Sequence, residues 1–439
     1  IRSTWIWGCS NCLVCLLVRK KSTEINNEMF SKGVDRLERA PVVIPDALKL
    51  RVPRTAPAAT RKEMKFPTES SVYSNVSNNI VRFNFQNTDI IDFSRGGIAF
   101  DLTLTAPGAT YCRVSQGVWS IFERVRLVHG AEELEDIREN NRLQSLLFEV
   151  MREPDVGAVL GHCYGYGTQA QRNAWGATPA KDYMMPIICG LFLSGPIPTE
   201  VFKKKLILEL YLANWQNCLE TDAPGPVTIT LTNCYFHYEV LQIPEPLRST
   251  FVSNAMAGGS YPYKSFAYYN QAMVPANQND LAIPHSSANI DCFINFMINT
   301  NDISNPAVND KFLTWNKNTC TEHTLRINNE FFPTEPAQAQ SDPQSYLMFL
   351  RWIDKWRIGG IFQNPPTISF DNYNADRFLI IYQMESFPRE GLVNQLSTAN
   401  SGNNIFLRVR FTAAPVNQSL ITFVQVSKTI DLVGTNLQK

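Results

Sequence analysis

Five histidines and one acidic run are the residues whose types could do chemistry. His129, His162, His237, His285 and His323 are far apart in the chain and share no metal-ligand spacing. His237 sits among Tyr235, Phe236 and Tyr238 on a strand-like stretch, where a hydrogen-bonded structural histidine is expected. Glu132, Glu133, Glu135 and Asp136 could be read as paired carboxylates for acid–base work. They stand just ahead of a helical stretch, so a solvated turn, favoured by the helix dipole, is the expectation. No G-x-x-x-x-G-K-S/T, G-x-S-x-G or H-E-x-x-H pattern occurs. No catalytic residue, cofactor or metal is assigned, and the chain is expected not to be an enzyme.

The cysteines do not supply a site either. Cys112, Cys163, Cys189, Cys218, Cys234, Cys292 and Cys320 are scattered singly, several inside apolar strands, and read as reduced thiols in a protein made inside a cell. Cys9, Cys12 and Cys15 lie in an apolar run, Trp5 to Val18, that ends in Arg19-Lys20-Lys21. The run is too short to span a bilayer comfortably. Its cysteines could carry acyl chains or bind a metal, but no fourth ligand of matching spacing is near. Asn75-Val76-Ser77 and Asn417-Gln418-Ser419 match the glycosylation sequon, a motif short enough to arise by chance.

Charge is more informative. The formal net charge of the 439 residues is zero, yet residues 1–66 hold 13 basic and 6 acidic side chains, a net +7, which leaves −7 for the rest. A basic arm on an acidic body suits an anionic partner. The stretch "KLRVPRTAPAATRKEMK" (Lys49 to Lys65) has no apolar period and reads as an extended arm unless something orders it.

Beyond residue 66 the pattern turns to strands. Val81, Phe83 and Phe85 alternate with polar residues, as do Ile98, Phe100, Leu102 and Leu104, and Val125 and Leu127 lead to a turn at His129-Gly130. In "RENNRLQSLLFEVM" the apolar residues Leu143, Leu146, Leu147, Val150 and Met151 form one helical face. The strands "LILELYLANW" (Leu206 to Trp215) and "VTITLTNCYFHYEVL" (Val227 to Leu241) follow, the second slipping its alternation near Asn233 as a bulge would. Pro244 and Pro246 then bar a continuing strand, and residues 244–256 read as a linker.

The second half repeats this programme. "ANIDCFINFMINT", "TLRINNEFF", "RFLIIYQMESF", "IFLRVRFTAA" and "SLITFVQVSK" read as strands. Between the second and third of these, Asp342-Pro343 opens a helix whose face is Tyr346, Phe349, Leu350 and Ile353. The two helices are offset by 203 residues, and "LILELYLANW" and "IFLRVRFTAA" by 199. Loops absorb that difference, so the pattern reads as a duplication of about 200 residues, at the domain size expected for a chain of this length. Each half is expected to hold about eight strands with one helix in a loop, closing as a jelly roll. The expected division is a basic arm at 1–66, a first jelly roll at 67–243, the linker at 244–256 and a second jelly roll with a C-terminal tail at 257–439.

Two consecutive jelly rolls with this linker and these helices resemble the double jelly-roll major capsid proteins of tailless icosahedral double-stranded DNA viruses. "FERVRLVHGAEELEDIRENNRLQSLL", and "IPTEVFKKKLILELYLANW" running into "VTITLTNCYFHYEVLQIPEP", look most like the versions in Polinton-like viruses, virophages and adintoviruses. The resemblance covers roughly residues 67–435 and is one of layout, with no invariant catalytic motif. It implies a structural protein of the virion, assembled inside the host cell. Three chains would form a pseudo-hexameric capsomer that tiles an icosahedral shell around the genome. Its partners would be other copies of itself, penton and minor capsid proteins, and genomic DNA or an inner membrane.

In that reading Arg51, Arg54, Arg61, Lys62 and Lys65 face inward, toward phosphate or lipid head groups. The bland alternative is a solvated tail that orders only against a neighbouring chain. The aromatic stretches "HCYGYGTQAQRNAW" and "SYPYKSFAYYN" read as loops that serve either local packing or interfaces. Rival readings are a glycan-active enzyme or lectin on jelly rolls, or a vertex or small-virus capsid protein, since jelly rolls host many functions.

Overall fold

Period-2 apolar patterning becomes strand after strand in the computed structural model, which describes residues 60–85, 90–151, 161–176, 181–202, 204–256, 260–287, 289–340, 343–358, 368–384, 398 and 404–431. The first half runs through β1 (Thr60–Pro67), β2 (Val72–Ser74), β3 (Ile80–Phe85), β4 (Ile90–Thr105), β5 (Cys112–Val114), β6 (Phe122–His129) and β7 (Glu132–Arg138). It continues with β8 (Lys181–Met185), β9 (Ile197–Pro198), β10 (Leu206–Leu212), β11 (Leu219–Thr221) and β12 (Thr228–Gln242). The second half holds β13 (Ser260–Ala272), β14 (Gln278–Ala282), β15 (Ile290–Asn299), β16 (Cys320–Ile327), β17 (Glu330–Gln338), β18 (Ile380–Gln383), β19 (Ile405–Phe411) and β20 (Gln418–Asp431). The helices used below are α1 (Asn140–Met151), α2 (Gln169–Gly176), α3 (Gly190–Leu193), α4 (Glu245–Met256), α5 (Gln344–Ile358) and α6 (Phe370–Ala375).

The sheet orders establish the topology. In the first half β1-β12-β4-β8 form one sheet and β3-β10-β6-β7 the other. In the second half the orders are β13-β20-β15-β18 and β14-β19-β16-β17. Leaving out the short β2, β5, β9 and β11, the eight strands of each half occupy the same places. First, eighth, third and sixth make one sheet; second, seventh, fourth and fifth make its partner. All pairings among named strands are antiparallel and stay within one half. This is the double jelly roll, and the fold is all-β.

The repeat seen in the residues is the repeat of the fold. β10 and β19 are each the seventh strand of their half, flanked by the second and fourth. Leu206, Leu208, Leu210 and Leu212 in β10, and Ile405, Leu407, Val409 and Phe411 in β19, are all buried, because a period-2 strand in a sandwich turns every second side chain into the core. α1 and α5 each follow the fifth strand. Leu143, Leu146, Leu147 and Val150 of α1 are buried, as are Phe349 and Ile353 of α5, whereas Tyr346 and Leu350 are half-buried. The slip near Asn233 is a bulge. Asn233 has φ +51°, and the register of β12 on β4 shifts between Thr232 and Tyr235 and again between His237 and Glu239.

Three expectations need correction. Residues 60–66 do not belong to the arm: β1 pairs with β12 from Thr60↔Gln242 to Pro67↔Tyr235, and it is the first strand of the first jelly roll. The stretch 244–256 is helical, with α4 spanning Glu245–Met256 and its Pro246 in the first turn, where a missing N–H does no harm. The acidic run does not form a turn; it lies on β7, paired with β6. "SYPYKSFAYYN" is not a loop but most of β13, an edge strand that tolerates Pro262. Asp342, at the expected start of α5, lies outside the described residues, as do Cys9, Cys12 and Cys15.

Candidate functional site

Where the two sandwiches meet, the chain has built its most elaborate polar arrangement. β5 and β11 pair with each other, Leu219↔Val114 to Thr221↔Cys112, and place Arg113 and Glu220 opposite one another. Glu220 is fully buried, and Arg113 and Arg172 nearly so. Arg113 donates from Nε to the Glu220 carboxylate at 2.7 Å, and from its two terminal nitrogens to Asn173 and Asn309, both at 2.6 Å. Arg172, on α2, donates to Glu220 at 3.3 Å, to the Val114 carbonyl at 3.0 Å and to Asp310 at 2.6 Å. The loop carrying Asn309 and Asp310 belongs to the second half. Its Asp310 N–H returns to Glu220 at 2.7 Å, and Thr221 N–H donates to Pro306 O at 2.9 Å.

Each buried charge in this network has an opposite charge and further hydrogen bonds. That is the condition for burying a charge without a large penalty. Lys311 extends the same contact by donating to the carbonyls of Gln216 and Leu219, and burial lowers its pKa to about 8.

A second contact lies at β7 and β13. Glu135 is fully buried and accepts from Gly190 N–H at 2.9 Å, Leu191 N–H at 2.8 Å and the Cys189 thiol at 3.0 Å. The Leu134 carbonyl accepts from Tyr263 Oη at 3.0 Å and Lys428 Nζ at 3.1 Å, both from the second half. Burial lowers the Lys428 pKa and pushes Tyr263 up; the carboxylates of β7 pull Lys428 back toward its charged form. Gly190 is obligatory here, since a Cβ on it would sit 1.5 Å from the Lys264 carbonyl oxygen. A third contact joins α1 to the second half: the Arg142 guanidinium lies 5.1 Å from the Phe312 ring centroid, and Arg377 reaches Glu149 at 3.5 Å. Three separate fastenings therefore hold the sandwiches in one relative placement.

None of these seam residues stood out in the sequence. Glu220 and Arg113 sit in short stretches with no alternation, and nothing local marks their burial. Glu135 was visible only as one acid of a run.

The residues considered for chemistry do not converge. His323 is buried between Tyr382 Oη and Ser345 Oγ, at 2.5 and 2.8 Å, and burial lowers its pKa to about 3. His285 faces Tyr269 Oη at 2.9 Å, with its pKa lowered to about 4 by burial. His129 accepts from Lys204 N–H at 3.1 Å, and His162 packs edge-on against Trp175. His237 Nε2 lies 3.6 Å from the Glu63 carboxylate on β1, longer than the hydrogen bond expected of a structural histidine. The seven described cysteines are free thiols, and burial raises Cys218, Cys234 and Cys320 to about 12. Among the described residues no group of three or more His, Cys, Asp or Glu is placed to hold a metal ion. A cavity lined by Leu102, Val114, Arg172, Trp175 and Tyr183 measures about 10 Å³, room for one water and not for a sugar.

Arg51 and Arg54 lie outside the described residues. Arg61 bonds Glu239 at 2.5 Å and Asp92 at 3.1 Å, so its charge is matched by the sheet beneath it. Lys62 and Lys65 are exposed on β1, with the Lys65 ammonium 4.5 Å from the Tyr235 ring centroid. Of "HCYGYGTQAQRNAW", Tyr166 stacks on Trp119 and Tyr164 meets Phe148, which is local packing.

No family model and no curated protein matches the sequence. Solved structures do match. The Faustovirus major capsid protein superposes with a TM-score of 0.61 at 9% identity, over 86% of this chain and 91% of that one. The PBCV-1 virus capsid structure gives 0.58 at 11%, over 88% and 98%. The cryo-EM structure of the Sputnik virophage gives 0.52 at 13%, over 91% and 92%. At such identities the likeness is one of fold, and it extends over nearly the whole of each chain.

Proposed function

We propose that this chain is the major capsid protein of a tailless icosahedral double-stranded DNA virus. Three copies form a pseudo-hexameric capsomer, and capsomers tile the shell. The observation that carries the reading is the seam: two jelly rolls of identical strand order, held in one placement by buried, fully paired charges. Enzymes and lectins need a concave site, whereas a tile needs several flat sides in constant geometry. A subunit with two rigid wedges supplies two sides, and three subunits supply six. The likeness in fold to a Faustovirus protein described as a major capsid protein supports the same role.

In this reading other copies are the first partners, and penton and minor capsid proteins complete the shell. Arg61 is matched by Glu239 and Asp92, so attraction to DNA phosphate or lipid head groups would fall to the basic residues before β1, such as Arg51 and Arg54. Expression of the full chain, followed by mass photometry and negative-stain imaging, tests the proposal. A species of three chain masses with a six-sided outline is expected. A chain that stays monomeric at every concentration and salt overturns it.

A further inference from the structure

The internal repeat contains its own instructions for contact between copies. Within the chain, the seam brings the fifth strand of the first half, β7, against the first strand of the second half, β13. The signs are buried Leu134, Glu135 and Tyr263 and the bond from Tyr263 Oη to Leu134 O. Both are terminal strands of their sheets. Their counterparts by strand order are β17, the fifth strand of the second half, and β1, the first strand of the first half. These two are also terminal, each hydrogen-bonded to one neighbour among the described strands. Unlike β7 and β13, they are open to solvent: β1 is exposed at Thr60 through Glu63, and β17 is exposed at Glu330, Phe331 and Thr334 through Pro336. A terminal strand with an exposed aromatic residue, Phe331 at 42%, is a surface that soluble chains normally cover or charge.

We infer that β17 of one copy docks against β1 of a second copy of this chain, reproducing between molecules the contact that β7 and β13 make within one. Charge favours this pairing over like against like. β17 presents Glu330 and Glu335 and no basic residue, whereas β1 presents Lys62, Glu63 and Lys65, a net positive edge once Arg61 is matched by Glu239 and Asp92. A β17–β17 or β1–β1 contact would bring together two strands of the same net charge. The contact is heterologous, head to tail, so copies added this way close into a ring or run on as a filament. Pro333 and Pro336 lack N–H donors, so the contact is made through side chains and strand packing and not by a continuous ladder. The inference rests on the capsomer reading and names its joint.

The test uses the full chain and reversed charges. Lys62→Glu with Lys65→Glu is expected to weaken assembly by about tenfold or more, as is Glu330→Lys with Glu335→Lys. The quadruple variant is expected to recover assembly, because the pairs are swapped and not removed. A Lys62→Cys chain mixed with a Glu335→Cys chain is expected to cross-link between copies with a short bis-maleimide. All four positions are on exposed strand surfaces, and melting curves verify that the variants fold. If the wild type forms trimers, the reversed-charge variants still do so at wild-type concentrations and the cysteine pair gives no cross-linked dimer, this joint is wrong and the capsomer stands. If the wild type never assembles, the capsomer reading falls and takes the joint with it.

Discussion

Replacing Glu220 by alanine probes the seam directly. In the wild type the carboxylate is fully buried and serves Arg113, Arg172, Ser115 and the Asp310 N–H. Its removal leaves two buried guanidinium groups. Arg113 keeps only neutral partners, Asn173, Asn309 and the Tyr111 ring, and Arg172 keeps one anion, Asp310, itself 39% exposed and screened by solvent. Breaking a buried ion pair from one side costs about 3–5 kcal/mol, and the stranded Asp310 N–H keeps the loss toward the upper end. For a unit of this size the melting midpoint falls by roughly 4–6 °C.

The loss should also be local to the junction. Calorimetry is expected to show one transition for the wild type and two for the variant as the halves uncouple. Hydrogen exchange is expected to rise first in residues 112–116 and 306–311. Arg408→Ala is the control: its pair with Asp280 is 31% and 42% exposed, and such surface pairs are worth about 0–1 kcal/mol. A Glu220→Ala chain within about 1 kcal/mol of wild type, melting as one unit, would refute the claim that this network fastens the sandwiches.

Two further outcomes follow from the titrating groups. Burial holds folded His285 near pKa 4 and folded His323 near 3, below the unfolded value of about 6.5, so the unfolded chain takes up protons that the folded chain refuses. Stability from these groups is complete above about pH 6.5 and is lost toward pH 4, at about 1.4 kcal/mol per pH unit for each histidine. His285→Asn should flatten the measured dependence by about that slope between pH 6 and 4, and an unchanged slope would dispose of the assignment. Asp182 behaves oppositely. It pairs across strands with Asp101, and hydrogen bonding and charge repulsion from that carboxylate raise its pKa. Folding then binds the proton more tightly than the unfolded chain does, and stability falls as pH rises through this range. Asp182→Asn is expected to raise the melting temperature at pH 7 and to make no difference below both carboxylate pKa values; a lower melting temperature at pH 7 contradicts this.

Alternation in "LILELYLANW" and "IFLRVRFTAA", with a helix 203 residues apart in each half, was enough to establish the strands, the duplication and the jelly-roll expectation. Periodicity reports that one face of a segment is buried, and that is a local property of the residues. It does not report what does the burying. β1 escaped notice because Thr60 to Lys65 is mostly polar, and an edge strand needs little apolar surface to stay in a sheet. β13 escaped because Pro262, Lys264 and Asn270 interrupt its tyrosines and leave no clean apolar face.

The burial of Glu135 and Glu220 could not be read at all. A carboxylate is kept dry only when donors from remote segments meet it: Gly190 and Leu191 for the first, Arg113, Arg172 and Asp310 for the second. The residues alone thus determined two similar sandwiches. Tertiary structure alone decided that they are locked to one another, because the lock is made of charges whose partners lie up to 294 residues away.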